Sequence, residues 1–205
     1  MSREILQIIK GIDQENIEIK IALQCAPLLM GIKISNLLIV ATGNARHVFQ
    51  RFRGTAVSMC VLCRTKHKTV FFLYRRKALE DYLNFPKVHD LMEYLGYQSL
   101  QLNMVLKECS RRYQEYATGG KEFPHELGLL LGYPAEDVAG FIENQGKNPL
   151  YTGYWKVYSD VREARRLFES YNQAQETVVR MIACGLNIQN ILTRYHSGQV
   201  CELVL

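Results

Sequence analysis

A chain of 205 residues with 48% hydrophobic and 22% charged side chains has the composition of an ordinary globular protein and the length of one domain. That balance excludes a disordered, collagenous or disulfide-stapled chain. Lys and Arg number 25 against 20 Asp and Glu, a net charge of +5 spread over short clusters, which is too diffuse to favour nucleic acid as a partner.

The opening MSREILQIIKGIDQENIEIK interrupts every apolar run with charge, unlike a signal peptide. The longest apolar stretch, SNLLIVATG, is far short of the ~20 residues that span a bilayer. The expectation is a cytoplasmic protein with no membrane association. Its six cysteines, Cys25, Cys60, Cys63, Cys109, Cys184 and Cys201, are then kept reduced.

Residues 2–10 read as a short helix capped by Ser2, with Ile5, Ile8 and Ile9 on one face, and the apolar spacing over 14–24 suits helix or strand, with helix favoured. The continuous apolar run at 36–40 predicts a buried strand, with a helix after it over about 44–53. Two β-branched and aromatic runs, 55–64 and 68–75, are joined by a short polar turn and read as a hairpin. Helices are expected near 77–84, 87–95 and 98–116, and GGKEFP at 119–124 is the clearest loop. Pro134 suits the first position of a further helix, with Glu136 and Asp137 at the positive end of its dipole. Residues 154–158 alternate as a strand does, Trp155 and Val157 facing one way and Tyr154, Lys156 and Tyr158 the other.

Asp160, with Glu163 three positions on, resembles a capping box for the longest helix. Its stripe of Val161, Ala164, Phe168, Tyr171, Ala174, Val178 and Met181 recurs every three or four residues, and Gly185 can end it. Gly-Tyr at 96–97, 132–133 and 153–154 marks three turns. Without a repeated βαβ rhythm, the fold expected is a single α+β domain: a mixed sheet of about four or five strands flanked by helices, with a long C-terminal helix.

No phosphate loop, dinucleotide fingerprint, zinc-protease helix or nucleophile elbow is present, and no motif names a cofactor. Cys60 and Cys63, with His67 nearby, look like half a zinc site. In a strand, however, residues three apart point to opposite faces, and no second ligand pair exists, so no metal site is expected. Pro27 could begin a helix and set Cys25 near its positive end, where a thiol ionises readily. The plainer reading is a core cysteine among Leu23, Leu28 and Leu29. His125, followed by Glu126, has the make-up of a general base oriented by a carboxylate, or more simply of a turn residue. Asp137 is most simply a dipole partner in its helix. Lys156 and Tyr158 share a strand face that could present a cation and a hydroxyl to an anion.

The stretch FPHELGLLLGYPAEDVAGFIENQGKN, followed by GYWKVYSD, resembles a bacterial family classed as a domain of unknown function, number three-seven-nine-three. Cys25-Ala26-Pro27, Tyr74-Arg75 after an apolar strand, and Gly96-Tyr97 fit the same pattern, so the resemblance spans nearly the whole chain. It implies a membership chiefly among anaerobic Gram-positive bacteria and a genomic association with iron uptake and flavodoxins, and it brings no activity with it. It singles out Cys25, Arg75, His125, Glu126, Tyr133, Asp137, Lys156 and Tyr158, which is more polar chemistry than packing requires.

The leading expectation is therefore a small enzyme or ligand-binding protein with a Cys/His-centred pocket. Cys25 would be the nucleophile or redox thiol and His125 its base, with Glu126 or Asp137 orienting the imidazole. Arg75, Tyr133, Lys156 and Tyr158 would hold an anionic or planar small molecule. The alternative is a non-catalytic module that binds haem, flavin or a protein through its aromatic segments.

Overall fold

Asn16 opens the first described helix, α1 (Ile17–Leu29), by accepting the Glu18 amide on its side chain at 2.9 Å. The computed structural model describes residues 16–120 and 122–195, so the helix expected at 2–10 and Cys201 lie outside the described residues. After α1 come β1 (Ser35–Ala41), a single 3₁₀ turn and α2 (Ala45–Phe52), then the hairpin β2 (Ser58–Arg64) and β3 (Lys68–Tyr74). Helices α3 (Arg76–Leu83), α4 (Pro86–Tyr94), α5 (Leu102–Ala117), α6 (Glu126–Leu130) and α7 (Ala135–Glu143) follow. A short ribbon, β4 (Tyr151–Thr152) and β5 (Lys156–Val157), precedes α8 (Val161–Ala183) and α9 (Ile188–Arg194).

The architecture is α+β, and the five strands among the described residues divide into two sheets rather than one. Strands β1, β3 and β2 form an antiparallel sheet in that order, with β3 central, while β4 and β5 pair only with each other. Central β3, KTVFFLY, is apolar in both registers because both of its faces are covered. Phe71 and Leu73 join Leu38 and Val40 of β1 in a core roofed by α1, α2, α9 and the C-terminal half of α8. Phe72 and Tyr74 lie in a second core, beneath α3 to α7. A third, smaller cluster packs Trp155 and Val157 of the ribbon against Ala164, Phe168 and Tyr171 of α8. The stripe expected on α8 thus serves two clusters along one helix. Asp160 caps that helix by accepting the Glu163 amide at 2.9 Å.

Two details depart from expectation. Pro27 does not start a helix; it lies inside α1. A proline there leaves the carbonyl four residues back without its amide, and the Gln175 side chain from α8 donates to that Leu23 carbonyl at 2.6 Å. The helix continues to Leu29, where Arg75 donates to the Leu28 and Leu29 carbonyls at 3.1 and 3.3 Å and so covers its negative end. In β2 a bulge between Val61 and Cys63 breaks the alternation, so Cys60 pairs with Phe72 and Cys63 with Val70, on the same side of β3. Both cysteines therefore pack on the second core rather than on opposite faces.

The free edge of β1 is closed by a side chain. Gln24 of α1 accepts the Ile39 amide at 2.8 Å and donates to its carbonyl at 3.1 Å, copying a strand partner. Among the described residues no helix is long and apolar enough to cross a membrane.

Candidate functional site

The site is built where α6, α7 and the ribbon meet the outer edge of the second core. Helix α6 stops at a glycine turn: the Gly132 amide reaches the Leu129 carbonyl at 2.8 Å and the Tyr133 amide reaches the Gly128 carbonyl at 3.0 Å. Gly132 has φ +75°, and a Cβ there would lie 3.0 Å from Ile34, so only glycine fits. Tyr133 leaves this turn with its carbonyl held by the Tyr82 hydroxyl at 2.5 Å. Pro134 stands one position earlier than expected, as the cap, and α7 begins at Ala135.

Asp137, in the first turn of α7, does more than complement a dipole. Its buried carboxylate accepts from the Trp155 indole at 2.7 Å, the Tyr158 amide at 2.8 Å, and the Ser159 amide and hydroxyl at 2.9 and 2.7 Å. Those four bonds fasten the ribbon to α7 and fix the indole. Trp155 then stacks on Tyr133, ring centroids 4.9 Å apart, and meets Phe168 edge-on at 4.4 Å. Gly153 permits that approach, since a Cβ there would come within 2.2 Å of the Phe168 ring.

Between these groups lies a cavity of about 320 Å³. Leu127, Leu131 and Val138 form its floor, Tyr133, Trp155 and Phe141 its sides, and half-exposed Phe123 and Tyr154 its mouth. Two basic side chains reach it. His125, just before α6, sits between Phe123 at 6.2 Å and Phe141 at 5.5 Å, and its imidazole makes no hydrogen bond to a described residue. Lys156 lies 5.7 Å over the Phe141 ring and donates to the Gly146 carbonyl at 2.6 Å.

Of the eight residues singled out in the sequence, His125, Tyr133, Asp137 and Lys156 line this one cavity. The other four do not. Cys25 is buried in the first core, on the other side of the sheet from the pocket, with Asn36 donating to its sulfur at 3.7 Å. Because Pro27 continues α1, the thiol lies towards the helix's negative end. Burial pushes it up to about 12, so it is neither accessible nor ionised. The Cys/His pocket is accordingly not formed.

Glu126 is buried as well, accepting from the Tyr97 hydroxyl at 2.9 Å and from Arg112 at 3.2 Å, which commits it to that pair instead of to His125. Arg75 caps α1. Tyr158 packs across Gly140, where a Cβ would meet its own at 2.6 Å, and its hydroxyl is buried without a hydrogen-bond partner. Unlike Lys156, it does not line the cavity.

Sequence reasoning passed over Lys33. A smaller chamber of about 190 Å³ adjoins the first, and Leu37, Leu131, Tyr133 and Tyr154 wall both. Lys33 lines this inner chamber at 8% exposure. Its Nζ donates to Asn36 Oδ1 at 3.2 Å and lies 5.1 Å from the Tyr133 ring and 6.0 Å from that of Tyr171. No carboxylate among the described residues pairs with it, and burial lowers its ammonium from the ordinary 10.5 to about 8. The signal was present in the sequence: Lys33 sits between Ile32 and Ile34, and residues 19–79 contain no Asp or Glu. Among the described residues, one group of side chains has metal-ligand spacing, His89, Asp90 and Glu93, and it lies along the outer face of α4.

A family model described as a protein of unknown function, DUF3793, matches residues 21–192. No curated protein and no solved structure matches the chain.

Proposed function

The chain belongs to the DUF3793 family, and we propose that it is a non-catalytic small-molecule-binding protein whose ligand is a flat, largely apolar compound of one or two rings. The observation that carries this reading is the cavity itself: Tyr133, Trp155 and Phe141 enclose about 320 Å³ that no described side chain fills. Small-molecule sites of this kind are apolar and aromatic with a few polar groups, and volumes start at roughly 300 Å³. A volume so near that lower bound suits a compact aromatic better than haem or a complete flavin nucleotide. The walls are held rigidly, by the Asp137 carboxylate and the Gly132 turn, so little ordering cost accompanies binding.

Catalysis finds less support. No carboxylate among the described residues orients His125, and the thiol expected as nucleophile is buried in the first core and held protonated there.

Trp155 is the only tryptophan in the chain, which makes its emission a direct reporter of the pocket. Titration of the full-length protein with 4-nitrocinnamamide, an uncharged quenching aromatic, is expected to quench Trp155 saturably. Val138→Phe, which fills the floor, and Phe141→Ala, which removes one wall, should each weaken binding by about tenfold, ~1.4 kcal/mol. Linear, non-saturating quenching that neither substitution alters would refute the proposal.

A further inference from the structure

We infer that Lys33 is the anion-binding group of this protein: the ligand's carboxylate enters the inner chamber and takes the buried ammonium as its counter-ion, while its rings fill the outer chamber. This rests on the reading of the outer cavity as a ligand site and narrows that ligand to aromatic or other apolar acids.

Three observations support it. First, the two chambers are neighbours: Leu37, Leu131, Tyr133 and Tyr154 line both, so a ligand stacked on Tyr133 in the outer cavity has the Lys33 chamber beside it. Secondly, Lys33 is short of partners. A buried ammonium is costly unless it is paired, and this one has a single neutral acceptor, Asn36 Oδ1, and two aromatic rings, with no acidic side chain in reach among the described residues. Two of its three N–H groups are left for an incoming anion. Thirdly, further donors stand beside it. The hydroxyls of Tyr133 and Tyr171 make no hydrogen bond to a described residue, whereas that of Tyr154 is committed to Asn172 at 2.9 Å.

The alternative cation, Lys156, is the poorer candidate. It is only half-buried, so water screens its charge, and one of its protons already goes to the Gly146 carbonyl. A small anion with an apolar body therefore gains more at Lys33, whose ammonium is itself buried, so that its charge is less screened than that of Lys156.

The test compares 4-nitrocinnamate with 4-nitrocinnamamide, which differ only in the anionic group, by calorimetry on the full-length protein at pH 7. Wild type should bind the acid at least tenfold more tightly than the amide. Lys33→Gln, which keeps a donor for Asn36 without charge, and Lys33→Met should each erase that preference, the acid binding no more tightly than the amide. Equal affinity of wild type for the two compounds, with Trp155 quenched by both, would overturn the role of Lys33 and leave the outer pocket standing. A preference for the acid that survives both substitutions would do the same. Failure of both compounds to bind would remove the pocket reading and this inference together.

Discussion

Lys33 is a charge that the fold would be more stable without, and its titration gives the claim a handle independent of ligand. Its folded pKa, about 8, lies below the ordinary 10.5. Below pH 8 both folded and unfolded states hold the proton, and the folded state bears the whole cost of burial, up to about 3 kcal/mol. Between pH 8 and 10.5 the unfolded chain holds more protons than the folded one, so this contribution to stability rises with pH. The titratable groups facing Lys33 are Cys25, pushed up to about 12, and Tyr133, Tyr154 and Tyr171, all raised by burial above the ordinary tyrosine value. Chemical denaturation of Lys33→Met and wild type should show the variant gaining most at pH 7, with the gain fading by about pH 10.5. A difference that does not change with pH would show that the amine is not desolvated.

Cys25 makes the opposite prediction about reactivity. Under native conditions iodoacetamide should label exposed Cys184 readily and leave Cys25 unlabelled until the protein is denatured, as read by peptide mass spectrometry. Native labelling of Cys25 at the rate of Cys184 would contradict its placement. The Asp137 carboxylate was visible in the sequence only as a helix-dipole partner, because its four donors come from residues 18 to 22 positions away. Asp137→Ala strands those donors and should cost several kcal/mol, on the order of 1–3 for each buried group left unsatisfied.

At the scale of elements, the longer helices and the three long strands were legible wherever apolar spacing is set by local geometry, whereas the short α6, α9 and β4 were not expected. The stripe on α8, its Asp160 cap and the buried run of β1 are the plainest cases. The exceptions share a cause. Whether Pro27 starts or interrupts a helix is decided by a partner remote in sequence: Gln175 supplies the hydrogen bond that the proline cannot. Gln175→Ala should therefore destabilise the protein by about 1 kcal/mol, the net worth of one part-buried hydrogen bond. An unchanged midpoint in urea would mean that water replaces the amide. The bulge that turns Cys60 and Cys63 to one side of β2 is likewise a matter of pairing with β3, which no periodicity within β2 could reveal.

For the whole molecule, α+β composition followed from the mixture of periodicities, but the division into layers did not. The sheet separates two cores, and that separation, set by which helices cover which face, is why Cys25 and His125 never meet. Half of the residues chosen for their chemistry do line one cavity, since they cluster in the segment from α6 to the ribbon that the chain folds upon itself. Lys33, which lines the neighbouring chamber, comes from the turn before β1 and lies close to that segment only through the tertiary fold.

A crystal structure of the protein soaked with 4-nitrocinnamate would place both halves of the ligand at once. The account predicts the ring against Trp155 and Tyr133 and the carboxylate within hydrogen-bond distance of Lys33 Nζ. A ring bound outside that cavity, or a carboxylate turned to Lys156 at the mouth with Lys33 left alone, would contradict it.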